Sequence, residues 1–169
     1  IGAGVTVSAV AASETVDRDV PALGQGARAL GTPLIRNLAT IGGNIGSARP
    51  AADLPPALIV YDAALVLQST AGERRLPIGE FFKGPGLTVA REDELITAVV
   101  IRVPEGCAGA GYLNLGVRKA QDCNIVNVAS FLELDERAET IRAARVALGS
   151  VGPTPLRSPS AEAVLIGQK

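Results

Sequence analysis

Histidine, methionine and tryptophan are absent from the 169 residues, and cysteine occurs only twice. Without histidine there is no Ser–His or Cys–His catalysis and no imidazole metal ligand. Cys107 and Cys123 are too few for a closed four-ligand zinc or iron–sulfur site. They read as two buried free thiols in a reducing compartment, which places the chain in the cytoplasm. Three Phe and two Tyr are too few for a platform of rings that stacks nucleic-acid bases. Neither sign of charge is in surplus: sixteen Lys and Arg face seventeen Asp and Glu, for a net charge of −1. That balance excludes a general nucleic-acid binder and a polybasic membrane-surface protein. No run approaches the roughly 18 apolar residues of a membrane span. The first residues carry no basic region and so are no secretory signal. The chain opens without Met in an apolar run from Ile1 and ends in a helix of barely two turns, so it reads as cut from a longer polypeptide at both ends.

What is present is core material. Apolar residues make up 47% and charged residues 20%, which excludes disorder as the main state. Thr6 is placed to cap a short helix through Ala12. Pro21 to Leu30 reads as a second helix, with Pro at its start and Gly31 just past its end. Residues 32–56 show weak periodicity and many Gly and Pro, so an ordered irregular loop is expected, followed by a short helix from Pro56 to Asp62. Ala64–Gln68 and Arg74–Pro77 read as a hairpin about Ala71–Glu73. Phe81 and Phe82 lead into a Gly84-Pro85-Gly86 turn. Glu94–Val103 is a β-branched strand closed by Pro104, and Glu105–Gly111 is a linker. Strands are then expected near Gly111–Gly116, Val126–Leu134 and Ile141–Gly149. Asp135–Arg137 is a solvated turn, and a Pro-rich turn over Pro153–Pro159 leads to a helix from Ser160 that stops at Gly167.

Two places could carry chemistry. Thr40-Ile41-Gly42-Gly43-Asn44-Ile45-Gly46 has adjacent glycines that allow close approach of a ligand. Such a segment is either a plain tight turn or a concavity of free amides that holds an anion. Nine residues past Asn44, Asp53 either caps the following helix or accepts from a ribose hydroxyl. The glycines lack the strand–turn–helix setting of a Rossmann site.

In order, Ile35-Arg36-Asn37-Leu38-Ala39-Thr40-Ile41-Gly42-Gly43-Asn44-Ile45 and Ala52-Asp53-Leu54 resemble the signature of the FAD-binding (medium) subunit of molybdenum hydroxylases, the family of xanthine dehydrogenase and aerobic carbon monoxide dehydrogenase. Arg75-Leu76-Pro77, Phe81–Gly86, Asp93-Glu94-Leu95-Ile96 and Gly116-Val117-Arg118-Lys119-Ala120-Gln121-Asp122 extend the resemblance over essentially the whole chain. It implies an α+β (α/β) fold: the second part of a two-part FAD domain over residues 1–108, then a small C-terminal domain over 109–169 with a three-stranded antiparallel sheet and a helix. It also implies that the loop Thr40–Ser47 lies along the ribityl and diphosphate of FAD. Backbone amides of Thr40, Ile41, Gly42 and Gly43, with the Asn44 side chain and Ser47, would hold it there. Asp53 would bind a cofactor hydroxyl, and Leu30, Leu95 and Ile96 would pack near a ring.

No catalytic residue and no metal ligand is implied, because the redox chemistry belongs to the cofactor. The implied partners are a two-iron two-sulfur subunit and a large molybdopterin subunit, with NAD or another acceptor receiving the electrons. Exposed apolar surface should remain for docking. The glycine-rich stretch that helps hold the diphosphate would lie before Ile1. Some family members place a lysine near the flavin where Asn114, Leu115 and Gly116 stand here, with Lys119 nearby. An inserted loop that holds a four-iron cluster in one branch of the family is missing between Leu65 and Arg75. The alternative is a scaffold or assembly subunit of such a complex that carries no FAD.

Overall fold

The computed structural model describes residues 1–118, 123–137 and 139–169. Lys119, Ala120, Gln121 and Asp122 of the last resemblance motif lie outside these residues.

The chain begins with helices set end to end by polar caps. Thr6 accepts from the Ala9 amide at the start of α1 (Val7–Ala11), as expected from the sequence. Ser13 does the same for Val16 in α2 (Glu14–Asp19), a helix the sequence reading missed because only Val16 along it is buried. α3 (Pro21–Ala29) starts on Pro21 and buries Ala22, Leu23 and Ala27. It ends where Gly31 turns to a φ of +48°, a conformation that favours glycine. The Arg36 guanidinium seals this end by donating to the carbonyls of Arg28, Leu30 and Gly31 at 2.9–3.2 Å. Arg36 thus has a structural use inside the motif.

The expected irregular loop over 32–56 is corrected by the structure. Two short helices stand there, α4 (Pro33–Leu38) and α5 (Ile41–Gly46), each opened by a threonine: Thr32 accepts from Ile35 N and Thr40 from Gly43 N. Sequence periodicity is weak because each helix spans under two turns and α4 buries none of its residues. α5 is helical despite its glycines because it lies against the N-terminal segment. Gly42 N donates to Ala3 O at 2.9 Å, and a Cβ on Gly42 would stand 2.7 Å from the Ala3 Cβ. α6 (Leu54–Val60) follows, and all seven of its residues are buried.

β1 (Ala64–Ser69) is the centre of an antiparallel sheet in the order β2-β1-β5, with β2 spanning Gly72–Pro77 and β5 Leu95–Val100. β5 ends three residues before the sequence reading placed it. Between β2 and β5 lie a 3₁₀ turn (Ile78–Glu80) and a small hairpin of β3 (Phe82–Gly84) and β4 (Leu87–Thr88), with Gly86 at a φ of +71°.

The second sheet has the order β6-β7-β8-β9, all antiparallel. β6 (Ala108–Leu115) begins inside the expected linker, whereas β7 (Val126–Leu134) and β8 (Ile141–Gly149) keep the expected bounds. The expectation of three strands is corrected to four: β9 (Leu156–Arg157) pairs with Ala147–Leu148 from within the Pro-rich segment. α7 (Pro159–Leu165) closes the chain before Gly167. Both cysteines are exposed, which corrects the reading of buried thiols. No described helix is long and apolar enough to cross a membrane.

One continuous core joins the two sheets. Leu23 and Ala27 of α3, Leu58 of α6, Leu65 and Leu67 of β1, and Val99 of β5 cluster with Tyr112, Ala129, Phe131 and Ala147 of the second sheet. Tyr61 sits edge-on to Phe131 and takes the Ala22 amide at 3.1 Å on its hydroxyl oxygen, which supplies the cap that Val20 cannot. Burial pushes the Tyr61 hydroxyl up to about 12. At the seam, Gly149 has no room for a side chain: a Cβ would run into Asn127 Oδ1 and come within 3.0 Å of Pro56. Gly149→Ala should cost about 1–3 kcal/mol of stability, read as a lowered thermal midpoint.

Candidate functional site

A concavity of about 440 Å³ runs between the N-terminal segment, α5, the β4–β5 loop and the start of β5. Ala3 and Gly4 form one wall, Thr40, Gly42, Gly43 and Gly46 the floor, and Phe81, Thr88, Ala90, Glu94, Leu95 and Ile96 the far side. The sequence explains the shape. Gly43 and Gly46 are exposed on the floor, where they present backbone and no side chain. A Cβ on Gly46 would reach 3.6 Å from the Ile96 side chain. Leu95 is 73% exposed on the rim and Ile96 half-buried, which leaves apolar surface facing a ligand.

The rim is fixed by a fork of hydrogen bonds. Arg74 Nε donates to Glu94 Oε1 at 2.5 Å and Nη2 to Oε2 at 2.8 Å, while Nη2 also reaches the Val89 carbonyl. The Arg91 amide donates to Glu94 Oε2. The fork-to-fork geometry favours the carboxylate over the acid. These bonds, Arg74 first, pull the Glu94 carboxyl from 4.5 to about 2. A group depressed in the folded state stabilises fully above its unfolded value. That contribution is lost as the pH falls from about 4.5 through about 2. Glu94→Gln should therefore flatten the acid limb of thermal midpoint against pH in that window. An unchanged limb would show that Glu94 does not carry it.

Of the residues singled out in the sequence, Thr40, Gly42, Gly43, Leu95 and Ile96 meet in this groove. Ile41 and Leu30 do not: both are buried in the core. Ser47 is exposed and donates from Oγ to the Asn44 carbonyl at 2.8 Å. The amides expected to be free are in use. Ile41 N donates to Val5 O, Gly42 N to Ala3 O, Gly43 N to Thr40 Oγ1 and Asn44 N to Thr40 O. The free-amide concavity is therefore corrected to a helical turn. Thr40 and Thr88 supply hydroxyl groups to the groove, and the glycine floor permits close backbone approach. A flat, largely apolar group with a polar tail fits this set, and the rings and ribityl of FAD have that chemistry.

Asp53 and Asn44 are not among the residues that line the groove. Asn44 Oδ1 accepts from the Leu54 amide at 3.4 Å, so Asn44 ties α5 to the start of α6. Asp53 makes no side-chain cap on α6. Its Oδ1 instead accepts from the Tyr112 hydroxyl at 3.0 Å and from Asn124 Nδ2 at 2.7 Å. Burial pushes the Asp53 carboxyl up, and those two bonds oppose the shift.

The loop expected along the cofactor included Gly46, but the sequence reading missed Glu94 and Thr88 as groove residues, and Tyr112, Asn124 and Asn127 as partners of the 51–53 segment. The available signal was an asparagine pair at the entry of an otherwise apolar strand. A second concavity, of about 470 Å³, is lined by Asp62, Arg102, Glu105, Glu133, Arg142 and Arg145 among others. Arg145 pairs there with Asp62 at 2.7 Å and stacks on Phe131, and Arg142 pairs with Glu133.

The two sheets with their helices make a module of two parts that share one core. Comparison with known proteins makes the assignment: the chain belongs to the family described as the FAD binding domain in molybdopterin dehydrogenase, matched over residues 1–105. Residues 112–169 match the CO dehydrogenase flavoprotein C-terminal domain. The xanthine dehydrogenase FAD-binding subunit of Escherichia coli is 32% identical over 96% of this chain and 55% of its own length. The glyceraldehyde dehydrogenase medium chain of Sulfolobus acidocaldarius is 32% identical over 100% of this chain and 59% of its own. Carbon monoxide dehydrogenase from Hydrogenophaga pseudoflava, in a form that lacks the Mo-pyranopterin moiety of its cofactor, superposes with a TM-score of 0.93 at 32% identity. That match covers 99% of this chain and 57% of the other. The chain thus spans a little over half the length of these relatives.

Proposed function

We propose that the chain binds FAD and serves as the flavin-carrying, electron-transfer part of a molybdopterin-dependent hydroxylase or dehydrogenase. The observation that carries this reading is the groove floored by Gly43 and Gly46 and walled by Leu95 and Ile96. When bound, FAD supplies the redox chemistry, accepting electrons from a two-iron two-sulfur partner fed by a molybdopterin subunit and passing them to NAD or another acceptor.

The chain's own residues bind and orient. Gly43 and Gly46 admit the flavin against backbone, and Leu95, Ile96 and Phe81 exclude water from it. The hydroxyls of Thr40 and Thr88 donate to its polar atoms. Glu94, held by Arg74, keeps the rim closed, and Asp53 accepts from a cofactor hydroxyl. Nothing in this role requires a side chain that moves a proton, in keeping with the lack of histidine.

Docking to partner subunits is supported by exposed leucines on α4, Leu34 at 76% and Leu38 at 85%, and by Leu113 at 74% on β6. The same reading sets the chain in the cytoplasm, where cysteines stay reduced. Titrating FAD into the chain while following flavin fluorescence tests the reading. Saturable one-to-one quenching is expected. Its absence would favour the FAD-free scaffold, a reading that the committed amides of residues 41–44 also favour.

A further inference from the structure

Three polar side chains of the second sheet and its approaches converge on residues 51–53, and their hydrogen bonds run in one direction. Asn127, 1% exposed, donates from Nδ2 to the Ala52 carbonyl and to the Tyr112 hydroxyl oxygen, both at 3.1 Å. The Tyr112 oxygen is occupied as an acceptor, so its single proton goes to Asp53 Oδ1 at 3.0 Å. Asn124 donates from Nδ2 to the same oxygen at 2.7 Å and to the Ala51 carbonyl at 3.2 Å. The orientation of the Asn124 amide is fixed in turn by Asn114, whose Nδ2 donates to Asn124 Oδ1 at 2.7 Å. Tyr112 is itself held through its backbone, where its amide donates to Gln25 Oε1 at 2.7 Å.

The chain of donors therefore ends on the Asp53 carboxylate. Residues 51–53 receive from this network two bonds on backbone carbonyls besides those on Asp53. One residue further on, Asn44 links Leu54 back to α5, which floors the groove. Seating of the second sheet thus sets where Asp53 stands relative to the glycine floor. The described groups that act on the Asp53 carboxyl are Asn124, Tyr112 and its own backbone amide, all three favouring the charged form against the burial that opposes it. A ligand hydroxyl needs an acceptor carboxylate in a fixed place, and rotation or protonation of Asp53 would remove it.

We propose that Tyr112 and Asn124 are positioning residues of the flavin site, which hold the Asp53 carboxylate from the C-terminal domain and make cofactor affinity depend on the seating of that domain. This rests on the reading of the chain as an FAD binder. Tyr112→Phe removes one oxygen and leaves the ring in the core. Tyr61→Phe is the matched control, since Tyr61 is equally buried but its hydroxyl serves Ala22 instead.

For each protein, FAD affinity, thermal midpoint and the carbon-13 NMR titration of the Asp53 carboxyl are measured on the full chain. Tyr112→Phe should weaken FAD binding about tenfold, the scale of a lost hydrogen bond to a charged group, and should move the Asp53 titration upward. Tyr61→Phe should lower the thermal midpoint and leave both other readouts unchanged. Should Tyr112→Phe fail to fold, Asn124→Ala carries the same comparison. Equal FAD affinity in wild type and Tyr112→Phe overturns the proposal, and so does an equal loss in Tyr61→Phe. If the wild type binds no FAD, the flavin reading has itself failed and takes the proposal with it. That outcome is told apart because it appears before any variant is compared.

Discussion

Gly46→Leu should abolish flavin binding while leaving the fold intact. Gly46 closes α5 on the groove floor, with ordinary helical backbone and only the Ile96 side chain near its missing Cβ. A leucine there meets no backbone obstacle and extends into the space a ring would occupy. Leucine is also the better helix former, so stability should hold or rise by up to about 1 kcal/mol. The loss in FAD affinity should be on the order of a hundredfold or more, because a fixed clash is not relieved by relaxation of a packed site. Gly109→Leu is the control: a Cβ there has nothing within 4 Å, and Gly109 lies outside the groove. Flavin titration and thermal melting of the two variants together separate blocked binding from damaged folding. Undiminished binding by Gly46→Leu would place the flavin elsewhere.

Leu58→Ala should be the most destabilising single change of those considered. α6 packs on α3, α5, β7, β8 and the 3₁₀ turn, and Leu58 is fully buried in the core that both sheets share. Removing its branched end leaves a cavity that α6, fixed on every side, cannot collapse. Such truncations cost about 2–5 kcal/mol, a large part of the roughly 5–15 kcal/mol that holds a domain folded. Chemical denaturation should show the midpoint fall with one cooperative transition retained, as a continuous core requires. Leu34→Ala, at an exposed position on α4, should change stability by no more than about 0.5 kcal/mol. Two separated transitions in wild type would contradict the single core.

The legible parts of the fold were those where local chemistry and tertiary use agree. Thr6, Pro21 and Gly31 announce helix ends, and β7 and β8 keep the bounds expected for them. What escaped was stabilised from a distance. α5 is glycine-rich and helical because Gly42 abuts Ala3, far earlier in the chain. β9 is two residues long and exists only by pairing with Ala147 and Leu148. Periodicity cannot register either case, because neither element is long enough to show a repeat.

The candidate site divides in the same way. Thr40, Gly42, Gly43, Leu95 and Ile96 were marked by the ordered motifs and meet in one groove. Ile41 belongs to the same motifs, and Leu30 was expected near a ring, but both are buried in the core. An apolar residue beside a glycine turn gives no sign of which side it faces until the turn's backbone is known. Asp53 was read as a cap or as a hydroxyl acceptor. Its partners Tyr112 and Asn124 are 59 and 71 residues away, beyond any local pattern.

On the proposed reading, FAD lies in the groove between α5 and the start of β5. Amide NMR spectra of the isotope-labelled chain, recorded as FAD is added, test it most directly. Saturable shifts centred on Thr40, Gly43, Gly46, Thr88, Leu95 and Ile96 are expected. Shifts centred instead on Arg102, Glu133 and Arg142, or a spectrum unchanged at excess FAD, would contradict it.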